Sequence, residues 1–260
     1  MAGGGPVYEE GCTRALDGLV SRHERSVLEW LAARVPAGVL PDHLTALGVA
    51  GAGLVAVALA ASHLSPVLYW LALAGLALNW LGDSLDGTLA RVRRIERPRY
   101  GFFVDHVSDL ASQTLIVLGL GLSPLMRLDL ATLALSGYLA ISVYTFVKLH
   151  VTRNMQLSYF GVGPTEIRLL IGAGLVGAAT IGVVHLDTPA GRLSVFDAGA
   201  LVLVAFAALS AIAMFVRDAR ALALIDPRHG RPVEVRLIEV AGTASERSGT
   251  AAPQTAGPTR

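Results

Sequence analysis

Four aspartates lie in two pairs within otherwise apolar sequence. Asp86 lies three positions after Asp83, and Asp109 lies four positions after Asp105. Each spacing puts both side chains on one helix face. A short turn joins the two helices, so they are expected to lie antiparallel and side by side, which would bring the pairs together. Four converging carboxylates repel one another unless arginines pair with them or divalent cations bind. Mg²⁺ or Mn²⁺ suits such oxygen ligands, and four carboxylates could hold two ions together with a phosphate group.

The residues between the two pairs suit a phosphate-containing ligand. Arg91 lies one and a half helical turns beyond the first pair and could bind a phosphate. Gly87 and Gly101 lack side chains, so a bulky ligand could approach the backbone there. Asn79 and Ser84 are candidate hydrogen-bonding partners beside the carboxylates.

The composition is that of a membrane protein. The 260 residues are 53% hydrophobic and 16% charged, with a mean hydropathy of +0.57, whereas a soluble domain carries about 25% charged residues. A net charge of +1 argues against nucleic acid as a partner. Cys12 is the only cysteine, which excludes an intrachain disulfide. The first residues lack the pattern of a cleavable signal peptide.

Hydropathy predicts an all-α integral membrane protein with six transmembrane helices. Both termini and the aspartates are expected on the cytoplasmic side of the cell membrane. That orientation puts 19 Lys and Arg residues on the cytoplasmic side and 2 on the other, in accord with the positive-inside rule. The predicted spans are 44–62, 67–90, 102–122, 129–149, 167–186 and 197–216.

Cytoplasmic segments are predicted on either side of a catalytic domain at 41–220. Segment 1–40 includes an amphipathic pattern at 13–35, which favours a helix lying on the membrane surface, or else a surface helix packed on the loops. Segment 221–260 includes a possible strand at 232–240. From about residue 241 its composition is typical of disorder.

The aspartate stretch resembles the signature of the CDP-alcohol phosphotransferase (CDP-alcohol phosphatidyltransferase) family. That signature reads D-x2-D-G-x2-A-R, about eight residues, then G-x3-D-x3-D. Here nine residues lie between Arg91 and Gly101, one more than usual. The stretch 41–45, PDHLT, also resembles the family's Pro-Asn-x-x-Thr, with Asp42 replacing Asn. The matching signature positions are Asp83, Asp86, Gly87, Ala90, Arg91, Gly101, Asp105 and Asp109.

The resemblance implies a phospholipid-synthesising enzyme, commonly a homodimer. An acceptor alcohol would attack the β-phosphorus of a CDP-linked lipid, usually CDP-diacylglycerol, with release of CMP. All four aspartates would bind two divalent metals, and Asp109 would also act as the general base. The CDP group would lie against Gly87, Ala90, Arg91 and Gly101.

The resemblance also assigns an acceptor pocket to the region after the fourth span. Arg153 and Arg168 could bind a phosphorylated acceptor, whereas Glu166 could face an amino group. Alternatively, Thr165 and Glu166 only begin a helix after Pro164. The sequence leaves these possibilities open.

Three other functions have less support. An intramembrane UbiA-type prenyltransferase also uses two aspartate-rich motifs, but its first motif needs Asp where this chain has Gly87, and its motifs lie farther apart. A cation carrier would have carboxylates within several spans. A non-catalytic scaffold would have lost parts of the signature, which is intact here.

Overall fold

The computed structural model describes residues 21–152, 164–189 and 191–226. In this part of the chain, helices are joined by short connections and one hairpin. The helices are α1 Ser21–Ala32, α2 Pro41–Ala60, α3 Leu68–Arg93, α4 Pro98–Gly121, α5 Leu128–Thr152, α6 Pro164–Ile181 and α7 Val195–Ile225. The hairpin strands are β1 His185–Thr188 and β2 Gly191–Ser194.

The long helices occur where hydropathy predicts spans. Each predicted span overlaps one of the helices α2 to α7. Four of these helices, α2, α5, α6 and α7, are long and apolar enough to cross a membrane. The aspartate-bearing helices α3 and α4 fall outside this group, since their polar residues lower the hydropathy. The described structure confirms a helical protein with apolar, membrane-compatible helices.

Helix α1 covers the described part of the predicted amphipathic segment. Leu28 and Ala32 are buried in a cluster with Leu85 and Leu89 of α3, whereas Trp30 is 55% exposed. One face of α1 therefore packs on the helix that carries the first aspartate pair. Residues 13–20, Cys12, Arg153, the possible strand at 232–240 and the tail from 241 lie outside the described residues.

The predicted fifth span, 167–186, extends beyond the end of its helix. Helix α6 ends at Ile181, and Gly182 then adopts a φ of +83°, a conformation that suits glycine. The antiparallel hairpin that follows was not predicted. It leads into α7, where the Asp197 carboxylate accepts hydrogen bonds from the backbone N–H of Ser194 at 2.9 Å and of Arg127 at 2.8 Å. The bond from Ser194 caps the start of α7. The bond from Arg127 connects α7 to the α4–α5 turn.

Helix α2 packs closely against α3 because glycines remove side chains from their crossing. A Cβ placed on Gly82 would lie 2.4 Å from the backbone nitrogen of Gly48 and 2.5 Å from the carbonyl oxygen of Leu44. Small residues permit such close approach between membrane helices. Helix α2 also packs on α4, whereas α3 and α4 make few direct contacts. The expectation that α3 and α4 lie side by side is therefore corrected, since α2 joins them.

Contacts group the chain into two compact units, Met1–Ala211 and Ile212–Arg260. All four aspartates of the signature belong to the first unit. In the second unit, the described residues are the end of α7, where Arg217 Nε donates a 3.0 Å hydrogen bond to Asp218.

The α2–α3 crossing gives a stability prediction. Gly82→Ala should lower stability by about 1–3 kcal/mol, because the added methyl group meets backbone atoms that cannot rotate away. Gly53→Ala is the matched control, since its Cβ would meet nothing within 4 Å. Thermal unfolding of both variants in detergent measures the difference. Equal melting temperatures for the two variants would contradict the close crossing.

Candidate active site

Three of the four aspartates converge. Carboxylate oxygens of Asp83 on α3 and of Asp105 and Asp109 on α4 lie within 4.8 Å of one another. All three side chains are half-buried. The i, i+4 spacing on α4 puts its two carboxylates on one helix face, and the α2–α3 crossing positions Asp83 opposite them. Three hard oxygen donors at this separation suit a divalent cation such as Mg²⁺ or Mn²⁺.

Asp86 lies outside this three-carboxylate group and faces α2. One of its oxygens accepts a hydrogen bond from the Thr45 hydroxyl, and the other from the backbone N–H of Gly87. The side chain is 8% exposed. Thr45 is the last residue of the PDHLT stretch, so this contact gives that motif a structural role: it fixes the Asp86 carboxylate. The sequence resemblance included Thr45 but did not identify its partner.

Arg168 contacts the carboxylate cluster directly. Its NH2 nitrogen donates a 2.7 Å hydrogen bond to Asp83 Oδ2, and its Nε donates a 3.0 Å bond to Asn79 Oδ1. The Asn79 side chain in turn donates to the carbonyl oxygen of Gly48 at 3.0 Å. Arg168 is 7% exposed and Asn79 1% exposed, so this is a buried polar network joining α6, α3 and α2. The sequence assigned Arg168 only to the acceptor pocket.

The residues expected to bind the CDP group lie near the end of α3 and the start of α4, on either side of the turn that joins these helices. Arg91 donates a 3.1 Å hydrogen bond to the Thr88 hydroxyl, and a Cβ on Gly87 would lie 3.4 Å from the Arg91 guanidinium. A Cβ on Gly101 would meet nothing within 4 Å, so open space borders this glycine. Ala90 is half-buried on α3.

The remaining acceptor-pocket candidates lie at the start of α6. The Thr165 hydroxyl donates a 3.2 Å hydrogen bond to Glu24 of α1, which also accepts a 2.8 Å bond from Trp80 Nε1 of α3. Glu166 is half-buried in the same turn. Glu24 thus ties α1 to both α3 and α6, a contact that the sequence analysis missed because its partners are distant in the chain.

The basic connection between α3 and α4 is held against α2. Helix α3 ends at Arg93, the next residue Arg94 adopts the left-handed conformation with a φ of 55°, and α4 begins at Pro98. Arg97 donates two 2.6 Å hydrogen bonds to the Asp42 carboxylate, which raise the pKa of Arg97. Asp42 therefore connects the start of α2 to this turn.

Comparison with known proteins agrees with this geometry. The family model described as CDP-alcohol phosphatidyltransferase matches residues 38–217. The chain belongs to the CDP-alcohol phosphatidyltransferase family. None of the curated proteins compared with the chain matches it.

Family membership establishes the broad activity. The family consists of membrane-embedded transferases that move phosphate-substituted groups from CDP-alcohols in phospholipid synthesis. Together with the four apolar helices, it identifies the chain as an integral membrane protein of this class. The family is metal-dependent, and the cluster of Asp83, Asp105 and Asp109 supplies suitable ligands.

Proposed function

We propose that this chain transfers a phosphatidyl group from a CDP-linked lipid, CDP-diacylglycerol, to a small polar alcohol, with release of CMP. The observation that carries the proposal is the convergence of Asp83, Asp105 and Asp109 within 4.8 Å. These residues belong to a complete family signature on helices α3 and α4. The UbiA-type prenyltransferase alternative has no comparable support, because the family match covers the whole aspartate region.

The donor set fits Mg²⁺ or Mn²⁺. Asp83, Asp105 and Asp109 would hold one ion, and Asp86 would serve a second after releasing Thr45 or by sharing an oxygen with it. Bound cations would neutralise the diphosphate and the charge that develops during transfer. The chain itself supplies the fixed carboxylates and a site partly shielded from water.

Asp109 is the proposed general base. Its carboxylate would take the proton from the acceptor hydroxyl, whose oxygen forms a bond to the β-phosphorus. The bond from that phosphorus to the oxygen bridging to CMP breaks, and CMP leaves with the electron pair. Asp109 lies one turn farther along α4 than Asp105, so it can reach the hydroxyl from the inner side of the site.

The substrate positions follow from the elements around the cluster. The CDP group would lie between the adjoining ends of α3 and α4, near Gly87, Ala90 and Arg91, in the open space beside Gly101. The acceptor would approach from the start of α6, where Thr165, Glu166 and Arg168 lie. Arg153 follows directly after α5 and belongs to the same proposed pocket.

The proposed placement has all six helices α2 to α7 crossing the cytoplasmic membrane, with both termini and the aspartates on the cytoplasmic side. The distribution of Lys and Arg residues supports this orientation. Helix α1 would lie at that surface with Trp30 exposed toward the headgroups. A homodimer is proposed from the family resemblance.

CMP release tests the proposed reaction. Membranes containing the protein should release CMP from CDP-diacylglycerol when the right acceptor is added. Candidate acceptors are serine, glycerol 3-phosphate, inositol, inositol phosphate and choline. EDTA should abolish release, and excess Mg²⁺ or Mn²⁺ should restore it. Absence of CMP release with every acceptor would contradict the donor assignment, and full activity in EDTA would contradict metal dependence.

Asp109→Asn tests the general base. Turnover should fall by at least about 100-fold, the lower range for loss of a positioned base, while binding of CDP-diacylglycerol is largely retained. The matched control is Asp187→Asn, because this carboxylate lies in β1 and is 89% exposed. CMP release measures turnover, and equilibrium binding of labelled CDP-diacylglycerol measures affinity. Near-normal turnover in Asp109→Asn would exclude this residue as the base.

A further inference from the structure

We propose that Arg168 is a positioning residue that lowers the affinity of the carboxylate cluster for divalent cations by competing for Asp83. This inference rests on the proposed metal site. The contacts of the Arg168 guanidinium with Asp83 and Asn79 support this inference.

Arg168 and Asp83 form a close ion pair. Arg168 NH2 lies 2.7 Å from Asp83 Oδ2, and Asp83 is one of the three residues that offer a ligand atom to the cluster. A cation bound to Asp83 would therefore lie within a few ångströms of the guanidinium. Two like charges at that distance in a shielded site repel strongly.

A second contact holds the Arg168 side chain at the site. Its Nε is bound to Asn79, and Asn79 is bound to the backbone of Gly48 at the α2–α3 crossing. The side chain is 7% exposed, so solvent offers it little compensation for a lost partner. A cation that takes Asp83 must either displace the guanidinium's hydrogen bond to Asp83 or share the carboxylate with it.

The sign of the effect separates this role from a merely structural one. If Arg168 only oriented Asp83 as a ligand, removing it would weaken metal binding by roughly 10–100-fold, as is usual for groups that support metal ligands. If Arg168 competes for Asp83, removing its charge strengthens binding. Arg168→Lys retains the positive charge, so its affinity for divalent cations should stay close to that of wild type.

Mn²⁺ binding to the purified full-length protein in detergent, without substrate, tests the inference. Electron paramagnetic resonance of free Mn²⁺ gives the dissociation constant. Arg168→Gln should bind Mn²⁺ roughly tenfold more tightly than wild type, because it removes a like charge from beside the bound ion. Arg127→Gln is the control, because Arg127 pairs with Asp129 in an exposed contact at the α4–α5 turn; its affinity should not change.

Arg168→Met provides a second neutral variant, whose aliphatic side chain fills the buried volume if the glutamine variant does not fold. Unchanged or weaker Mn²⁺ binding in the folded neutral variant would overturn this inference while leaving the metal site intact. Absence of saturable Mn²⁺ binding by the wild-type protein would instead contradict the metal site itself, and this inference with it.

Discussion

Mutual repulsion among three carboxylates is the constraint on which the site depends. Asp83, Asp105 and Asp109 are brought within 4.8 Å of one another and are only half-exposed. Charges of one sign at that distance are stable only when positive charge lies close by. Among the described residues, Arg168 places its positive charge on Asp83, and the donor geometry suits a divalent ion. The negatively charged diphosphate of a substrate would be attracted to metal ions at this site in the same way.

Helix α2 determines how the carboxylates meet. Its glycines allow α3 to approach closely, and α2 also packs against α4. Thr45 at its start holds Asp86, and Asp42 holds the basic turn through Arg97. Close glycine crossings are favoured in membranes, where packing of small residues substitutes for the hydrophobic effect. The first helix of the matched region is therefore a scaffold for residues carried by the next two.

Much of this arrangement could be predicted from local sequence. The long apolar stretches predicted helices, and each predicted span overlaps one of α2 to α7, since hydropathy is a property of each segment alone. The i, i+4 spacing predicted that Asp105 and Asp109 share a helix face, and the expected convergence with Asp83 is present, whereas Asp86, at i+3 from Asp83, faces α2 instead.

Contacts between residues distant in the chain could not be predicted in the same way. The partner of Asp83 is Arg168, 85 positions away, and Asp86 turns to Thr45 on another helix. Glu24 joins α1 to α6 across 141 positions. Each pairing depends on helix packing angles and depths, which no spacing within one segment encodes. The hairpin after α6 was missed because apolar residues continue past Gly182.

Anomalous X-ray scattering from crystals of the protein grown with Mn²⁺ tests the central claim most directly, because it locates the ion independently of activity. The account predicts an anomalous peak among the carboxylates of Asp83, Asp105 and Asp109, at roughly 2.1–2.2 Å from their oxygens. A structure at saturating Mn²⁺ with no peak in that cluster, or with peaks only at exposed carboxylates such as Asp187, would contradict it.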